Sequence, residues 1–263
     1  MLVSLVNKFQ VLSLDDNYVI IPGLHALKHA LRFGAEIILS LSDDKRKLLE
    51  LATDLSPDVA DFIKINVQEV SIGQYQSLIK DAHRTGVISI AKKPSLELKE
   101  VLKSEKPLVL IEDCRNLKNL GAVIRVSAAA DIGGVLSLIN QVNIWHPDVL
   151  VGAAGLNFAL PCINISETDL SLIKQERTLI ALDPAGSSHP ELDSGSPEES
   201  AKAKPPIYIF GTERDGISEN LLNLSDFKLR ISMREGVSSL NLATSVAITL
   251  YSQTDVLFYV KIH

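Results

Sequence analysis

At 263 residues, with 46% hydrophobic and 22% charged residues, the chain has the composition of a folded globular protein with room for one large domain or two modest ones. Its net charge of −6 excludes a basic coat over the whole surface and leaves any phosphate contacts to local patches. Two cysteines, Cys114 and Cys162, exclude a disulfide framework and a cysteine-built zinc site. No metal is expected. Residues 1 to 16 lack the charge pattern of a secretion signal, and no apolar run matches a bilayer in length. A cytoplasmic location without a membrane partner is the expectation.

GLHALKHALRFG, residues 23 to 34, repeats apolar side chains at helical spacing and stops at Gly34. AEIILSLS reads as a short buried strand, KRKLLELATDL as a helix, VQEVSIGQYQSLIKDA as a further helix and GVISIA as a strand. Together they predict a small α/β module over residues 1–95. The stretch AKKPSLELKEVLKSEKP is charged and bounded by prolines, which predicts a linker at 96–106 with at most a short helix. Over residues 107–263, PLVLIED, GVLSLIN, TLIALD, PIYIFG and FKLRIS alternate with helical segments, the pattern of a mostly parallel sheet covered by helices. Within it, residues 186–206 are rich in Ser, Pro, Glu and Lys. Such a stretch buries too little apolar surface to offset chain entropy, so a mobile insertion is expected there.

Three segments carry residue types suited to chemistry. In NLGAVIR, Asn119 stands where a helix cap belongs, Gly121 admits a close backbone, and Arg125 lies one turn further on. A guanidinium among apolar neighbours is costly to bury unless an anion meets it. Taken alone, the segment is equally a capped helix whose arginine reaches water along its stem. IYIFGTERDGIS runs a strand into Gly211, Glu213 and Gly216, a glycine-bounded acidic loop at a strand's carboxyl end, where open α/β sheets bind ligands. Taken alone, it is equally a solvated turn. ISMREGVSSLNLATSVAITL places Ser239 and Asn241 before an apolar helix, as common caps.

In order and spacing, these segments resemble the three signature motifs of the SpoU family of RNA ribose 2′-O-methyltransferases, within the SPOUT superfamily. Asn119, Gly121 and Arg125 match the first motif, Gly211, Glu213 and Gly216 the second, and Ser239, Leu240 and Asn241 the third. The resemblance covers roughly residues 107–263. It implies an α/β SPOUT domain whose mostly parallel sheet ends in a trefoil knot. It also implies S-adenosylmethionine bound at Gly211, Ile231 and Leu240, a homodimer, and a catalytic group of Arg125, Asn119, Glu213, Ser239 and Asn241. The front module resembles the small RNA substrate-binding domain that often precedes SpoU domains, which favours ribosomal over transfer RNA as the partner.

In this reading Arg125 anchors phosphate and stabilises alkoxide charge rather than acting as a base, because an arginine stays protonated at neutral pH. Lys28, His29 and Arg32 share one helix and read either as an RNA-facing surface or as a solvated face. Two departures stand against the family pattern. Val151 and Ala153 occupy positions where a basic residue and a serine are usual, and CRNLKN replaces an Asp-Pro turn. A Rossmann enzyme is excluded by the missing G-x-G-x-x-G. The remaining alternatives are a catalytically inactive RNA-binding protein that retains the SPOUT fold and a purely structural oligomer.

Overall fold

The computed structural model describes residues 4–78, 84–138, 142–187, 204–211 and 216–253. The chain divides into two compact units, one of Met1–Ser95 with Trp145–Ala159 and the other of Leu96–Ile144 with Leu160–His263.

The first unit opens with helix α1 (Leu5–Ser13), where the Asn7 N–H donates to Ser4 Oγ as a cap. Strand β1 (Tyr18–Pro22), helix α2 (Gly23–Arg32), strand β2 (Ile37–Ser42) and helix α3 (Lys45–Leu55) follow. Helix α4 (Ala60–Asn66), strand β3 (Val67–Glu69), helix α5 (Ile72–Gln76) and strand β4 (Val87–Lys92) complete it before residue 95. The sheet runs β1-β4-β2-β3, with β4 antiparallel to both neighbours and β3 parallel to β2. Val67–Glu69 forms a strand where a helix was expected. Val67 is buried beside Ser40 while Gln68 and Glu69 face out, and Ser71 starts a fresh helix through a capping box with Gln74.

Helix α6 (Leu98–Leu102) is the short helix allowed for in the expected linker, and it belongs to the second unit. Val101 and Leu102 are buried in that unit's core, so this charged stretch has one apolar face. Strand β5 (Leu108–Glu112), helix α7 (Leu117–Ala129) and strand β6 (Gly134–Leu138) come next. The chain then enters the first unit as helix α8 (Pro147–Gly152) and a short 3-10 turn at Leu156–Phe158. There α8 packs on β1 and α2. Gly155, at φ +79°, lies so close to α2 that a Cβ would sit 2.2 Å from the Ala26 carbonyl oxygen. His29 Nδ1 lies 2.7 Å from the Ala154 carbonyl oxygen, and Trp145 meets Phe158 edge to face at 5.1 Å. The first unit therefore includes fifteen residues that sequence order assigned to the second.

The chain returns as strand β7 (Cys162–Ile165), helix α9 (Leu170–Glu176), strand β8 (Thr178–Ser187), strand β9 (Pro206–Phe210), helix α10 (Glu219–Leu224), strand β10 (Phe227–Leu229) and helix α11 (Leu242–Gln253). Residues 188–203, most of the expected insertion, lie outside the described residues. All six strands are parallel, in the order β10-β8-β9-β5-β6-β7. LVLI of β5 and IYIF of β9 are continuous buried runs, as a parallel sheet covered on both faces requires. Leu108, Leu110, Ile207 and Ile209 form a core with Ile173 of α9 and Leu221 of α10, while α7 and α11 pack on each other.

Among the described residues, one buried cation ties this core to α6. Arg177, 1% exposed, donates from Nη1 to the Lys106 carbonyl and from Nη2 to the carbonyls of Val101 and Ser104. These carbonyls belong to the last turn of α6 and the chain just after it, and the guanidinium fork reaches all three. Arg177→Ala is expected to lower stability by about 2–4 kcal/mol, because the carbonyls lose a charged donor. Urea denaturation checks this, and Arg177→Lys should recover less than half of the loss.

Candidate functional site

The second unit holds a cavity of about 260 Å³, lined by residues from four stretches of chain. The first is a break in the sheet. β8 pairs with β10 at Ala181/Lys228 and next at Ser187/Leu229, so the ladder skips Leu182–Gly186. Pro184 has no N–H to give to a ladder, and a Cβ on Gly186 would lie 2.7 Å from the Leu229 carbonyl carbon. Leu182, Asp183 and Pro184 form one wall of the cavity in consequence.

The second stretch is the carboxyl end of β9, with Phe210, Gly211 and Gly216. A Cβ on Gly211 would lie 1.9 Å from the Gly216 carbonyl oxygen and 2.4 Å from the Ile217 nitrogen. Only glycine permits that approach. Gly216 turns the chain at φ +68°, and the Ser218 N–H then donates to Glu112 Oε2 at 2.7 Å, tying the start of α10 to the end of β5. Glu213 lies outside the described residues.

The third and fourth stretches are the segment after β10 and the first turn of α11. Ile231, Met233, Ser238, Ser239 and Leu240 contribute from the former, Leu242 and Ser245 from the latter. Gly211, Gly216, Ile231, Ser239 and Leu240, five of the residues singled out in the sequence, thus share one cavity.

Asn241 caps α11: the Ala243 N–H donates to its Oδ1 at 3.0 Å. Its Nδ2 donates to Asn119 Oδ1 at 3.4 Å, which joins the first and third motifs across 122 positions of sequence. Asn119 is not the cap of α7. That place is held by Asn116, whose Oδ1 accepts from the N–H groups of Lys118 and Asn119, so Asn119 lies one turn inside. This explains the CRNLKN departure, since Asn116 does the capping itself.

Arg125 is exposed on α7, while Leu120, Gly121, Val123 and Ile124 are buried on the same helix. Its apolar neighbours in sequence therefore impose no burial. Among the described residues no carboxylate pairs with Arg125, Lys118, Arg230 or Arg234, all exposed on α7 or on the segment after β10. An acidic chain thus exposes four cations on α7 and on the segment after β10.

The first unit offers less. Arg32 donates to Asp58 from both Nε and Nη2, at 2.7 and 2.8 Å, and His29 contacts the Ala154 carbonyl. The arginine hydrogen bond holds the Asp58 carboxyl below its ordinary range. The helical face of Lys28, His29 and Arg32 is thus largely engaged within its own unit. Val151 and Ala153 also fall there, the first exposed and the second buried.

Sequence reasoning missed Asp183 and its neighbours. The signal was present as proline and glycine inside a strand run, LDPAG, which marks a place where a ladder breaks. Ser245 was hidden as one more polar position on a helix.

Comparison with known proteins adds the following. The model of the SpoU rRNA Methylase family matches residues 106–251. Among curated proteins, rRNA methyltransferase 3A, mitochondrial, of Danio rerio is 26% identical over 90% of this chain and 63% of its own length. The 23S rRNA (guanosine-2′-O-)-methyltransferase RlmB of Bordetella pertussis is 24% identical over 88% of this chain and 95% of its own. The AdoMet-bound rRNA methyltransferase from Sinorhizobium meliloti superposes with a TM-score of 0.72 at 19% identity, covering 94% of this chain and 92% of that one. The SpoU methyltransferase AviRb from Streptomyces viridochromogenes, in complex with AdoMet, does so at 0.73 and 18%, covering 94% and 95%. At such identities these two structures establish a shared fold.

The close approach at Gly211 yields a direct test. Gly211→Ala has no space for its methyl group, so the turn at 216–217 must move and the cavity must deform. A stability loss of about 1–3 kcal/mol is expected, the range for overpacking. Thermal unfolding reads it against Gly236→Ala, a glycine with open space beside it but a φ of +85° that carries its own strain.

Proposed function

We propose, because this chain belongs to the SpoU rRNA Methylase family, that it transfers a methyl group from S-adenosylmethionine to a ribose 2′-hydroxyl of structured RNA. Ribosomal RNA is the favoured substrate over transfer RNA, in keeping with the names of the relatives above. The observation that carries the reading is the Asn241–Asn119 hydrogen bond beside Leu240, which brings the first and third motifs to the edge of one cavity.

The lining suits a nucleoside cofactor. Leu182, Phe210, Ile231, Met233 and Leu240 give apolar walls for a flat base, while Ser238, Ser239, Ser245 and Asp183 provide polar partners. Main chain at Gly211 borders the same space, which is why no glycine-rich fingerprint is needed. When bound, S-adenosylmethionine supplies a methyl group already activated by its positive sulfur. The protein's task is then to place the ribose oxygen in line and to manage its proton.

Arg125 stays charged, so it does not take that proton. It binds an RNA phosphate and stabilises negative charge that develops on the ribose oxygen. Lys118, Arg230 and Arg234 extend the same cationic surface along the RNA backbone. The amides of Asn119 and Asn241 hold the entrance of α7 and the start of α11 in register, and Ser239 and Glu213 orient ligand groups. A knotted C-terminal segment, a homodimeric active form and a cytoplasmic location complete the reading.

Recombinant protein, labelled S-adenosylmethionine and ribosomal RNA transcripts test it directly, with ribose methylation mapped on the product. Arg125→Ala should lower methyl transfer by at least about 10²-fold, as expected for removal of one stabilising donor. Its affinity for S-adenosylmethionine in calorimetry should stay unchanged. Equal activity in the variant removes Arg125 from the mechanism. Wild-type protein that binds RNA but ignores S-adenosylmethionine identifies an inert scaffold instead.

A further inference from the structure

Outside the cavity, one edge of the second unit's sheet combines an exposed ring with unpaired charge. Strand β10 is the outermost of the six, with β8 as its neighbour. Its first residue, Phe227, is 41% exposed although Ile180, opposite it in the ladder, is buried. A lone exposed apolar side chain is ordinary on a protein surface. The charges beside this one set it apart.

Before the strand, Lys174 of α9 pairs with Asp226, and Lys204 donates from Nζ to the Lys174 carbonyl at 3.5 Å. After Phe227 come Lys228 and Arg230, both exposed. Asp226, the acid adjoining the ring in sequence, is already occupied. One of its oxygens accepts from Lys174 and the other from the Leu179 N–H at 2.9 Å. Among the described residues no carboxylate pairs with Lys204, Lys228 or Arg230. An acidic chain thus leaves cations unneutralised on and beside the strand that carries this ring.

Alternation along a strand sends Phe227 to one face and Lys228 to the other. A nucleotide is built to match, with its base and its phosphate on opposite sides of the sugar. Duplex RNA hides its base faces within the stack, whereas a single strand offers them to an aromatic side chain. β10 also runs directly into the segment that bears Arg230 and Arg234 and that lines the cavity with Ile231 and Met233. A strand that follows this edge therefore arrives where the cavity opens.

We infer that the β10 edge is a track for single-stranded RNA, on which a base stacks on Phe227 while Lys228 and Arg230 hold phosphates and lead the strand to the cavity. This rests on the RNA substrate proposed above and adds the path and the form in which RNA lies beyond the reacting centre. Stacking is indifferent to sequence because every base has a π-face, so the track sets the course of the strand and not its identity.

Fluorescence anisotropy with a short labelled oligouridylate, alone and in duplex with oligoadenylate, tests this on the full chain. Phe227→Ala should weaken binding of the single strand about tenfold, within the range for loss of one stacked base, and leave the duplex nearly unchanged. Phe227→Tyr keeps a ring and should retain the wild-type affinity. Lys228→Gln should flatten the slope of log K against log salt by about 0.7, the share of one phosphate contact on a single strand. Phe227→Ala should leave that slope as it is.

Unchanged single-strand affinity in Phe227→Ala overturns the inference, and so does an equal loss on single strand and duplex. A change of oligomeric state in Phe227→Ala, with RNA affinity intact, assigns the ring to a contact between copies of the chain and overturns it too. Should Phe227→Ala not fold, a wild type that prefers the duplex overturns the track by itself. Wild type that binds the single strand as expected but transfers no methyl group to ribosomal RNA overturns the proposed activity and leaves the track standing.

Discussion

At Gly211 backbone meets backbone. The Gly216 carbonyl lies where any side chain at 211 would begin, so strand β9 ends against the turn that its own continuation makes. Glu112 secures the other end of that turn by accepting the Ser218 N–H. The two ends of the acidic loop are thereby held by the carboxyl ends of neighbouring strands, β9 and β5. Without this fold-back the cavity has no floor, because Phe210, Gly211 and Gly216 all border it.

The sheet makes such a place available. Parallel strands buried on both faces put their variable loops at the carboxyl ends, and neighbours whose onward chains run to opposite sides leave a crevice between them. β5 leads to β6 and β7 on one side, while β8 and β10 lie beyond β9 on the other. The cavity sits at the carboxyl ends on the β8–β9 side, and Asn119 and Arg125 follow from β5. The cavity and the helix that bears Asn119 and Arg125 thus belong to separate parts of one sheet, joined where Asn241 reaches Asn119.

What could be read from the sequence followed from local pattern. Apolar runs such as LVLI and IYIF announced central parallel strands, and the spacing in GLHALKHALR announced α2. Helix α1 and strands β1 and β7 were missed, since they are short and their apolar positions fit neither period cleanly. Asn119 was taken for a cap because Asn116, three positions earlier, has the same chemistry and only geometry decides between them. The apparent burden on Arg125 dissolved for a similar reason. A helix separates sequence neighbours onto different faces, so apolar flanks at one position do not bury the next. That Gly211 and Gly216 share a cavity with Ser239 and Leu240, and that Asn241 reaches Asn119, rests on long-range packing that spacing alone does not reveal.

The assignment of residues 145–159 to the first unit has a topological consequence. The backbone passes between the units at 95/96, at 144/145 and at 159/160. A protease cut at the first of these points leaves residues 1–95 joined to 145–159, the rest of their unit, by non-covalent packing alone. A fragment ending at residue 95 loses α8 and, with it, the Ala154 carbonyl beside His29 and the Gly155 turn beside Ala26. The complementary fragment keeps those pieces without the α2 surface they fit. Modular exchange of the front unit among related proteins therefore has to move two stretches of gene at once, which couples the evolution of the first unit to that of the second.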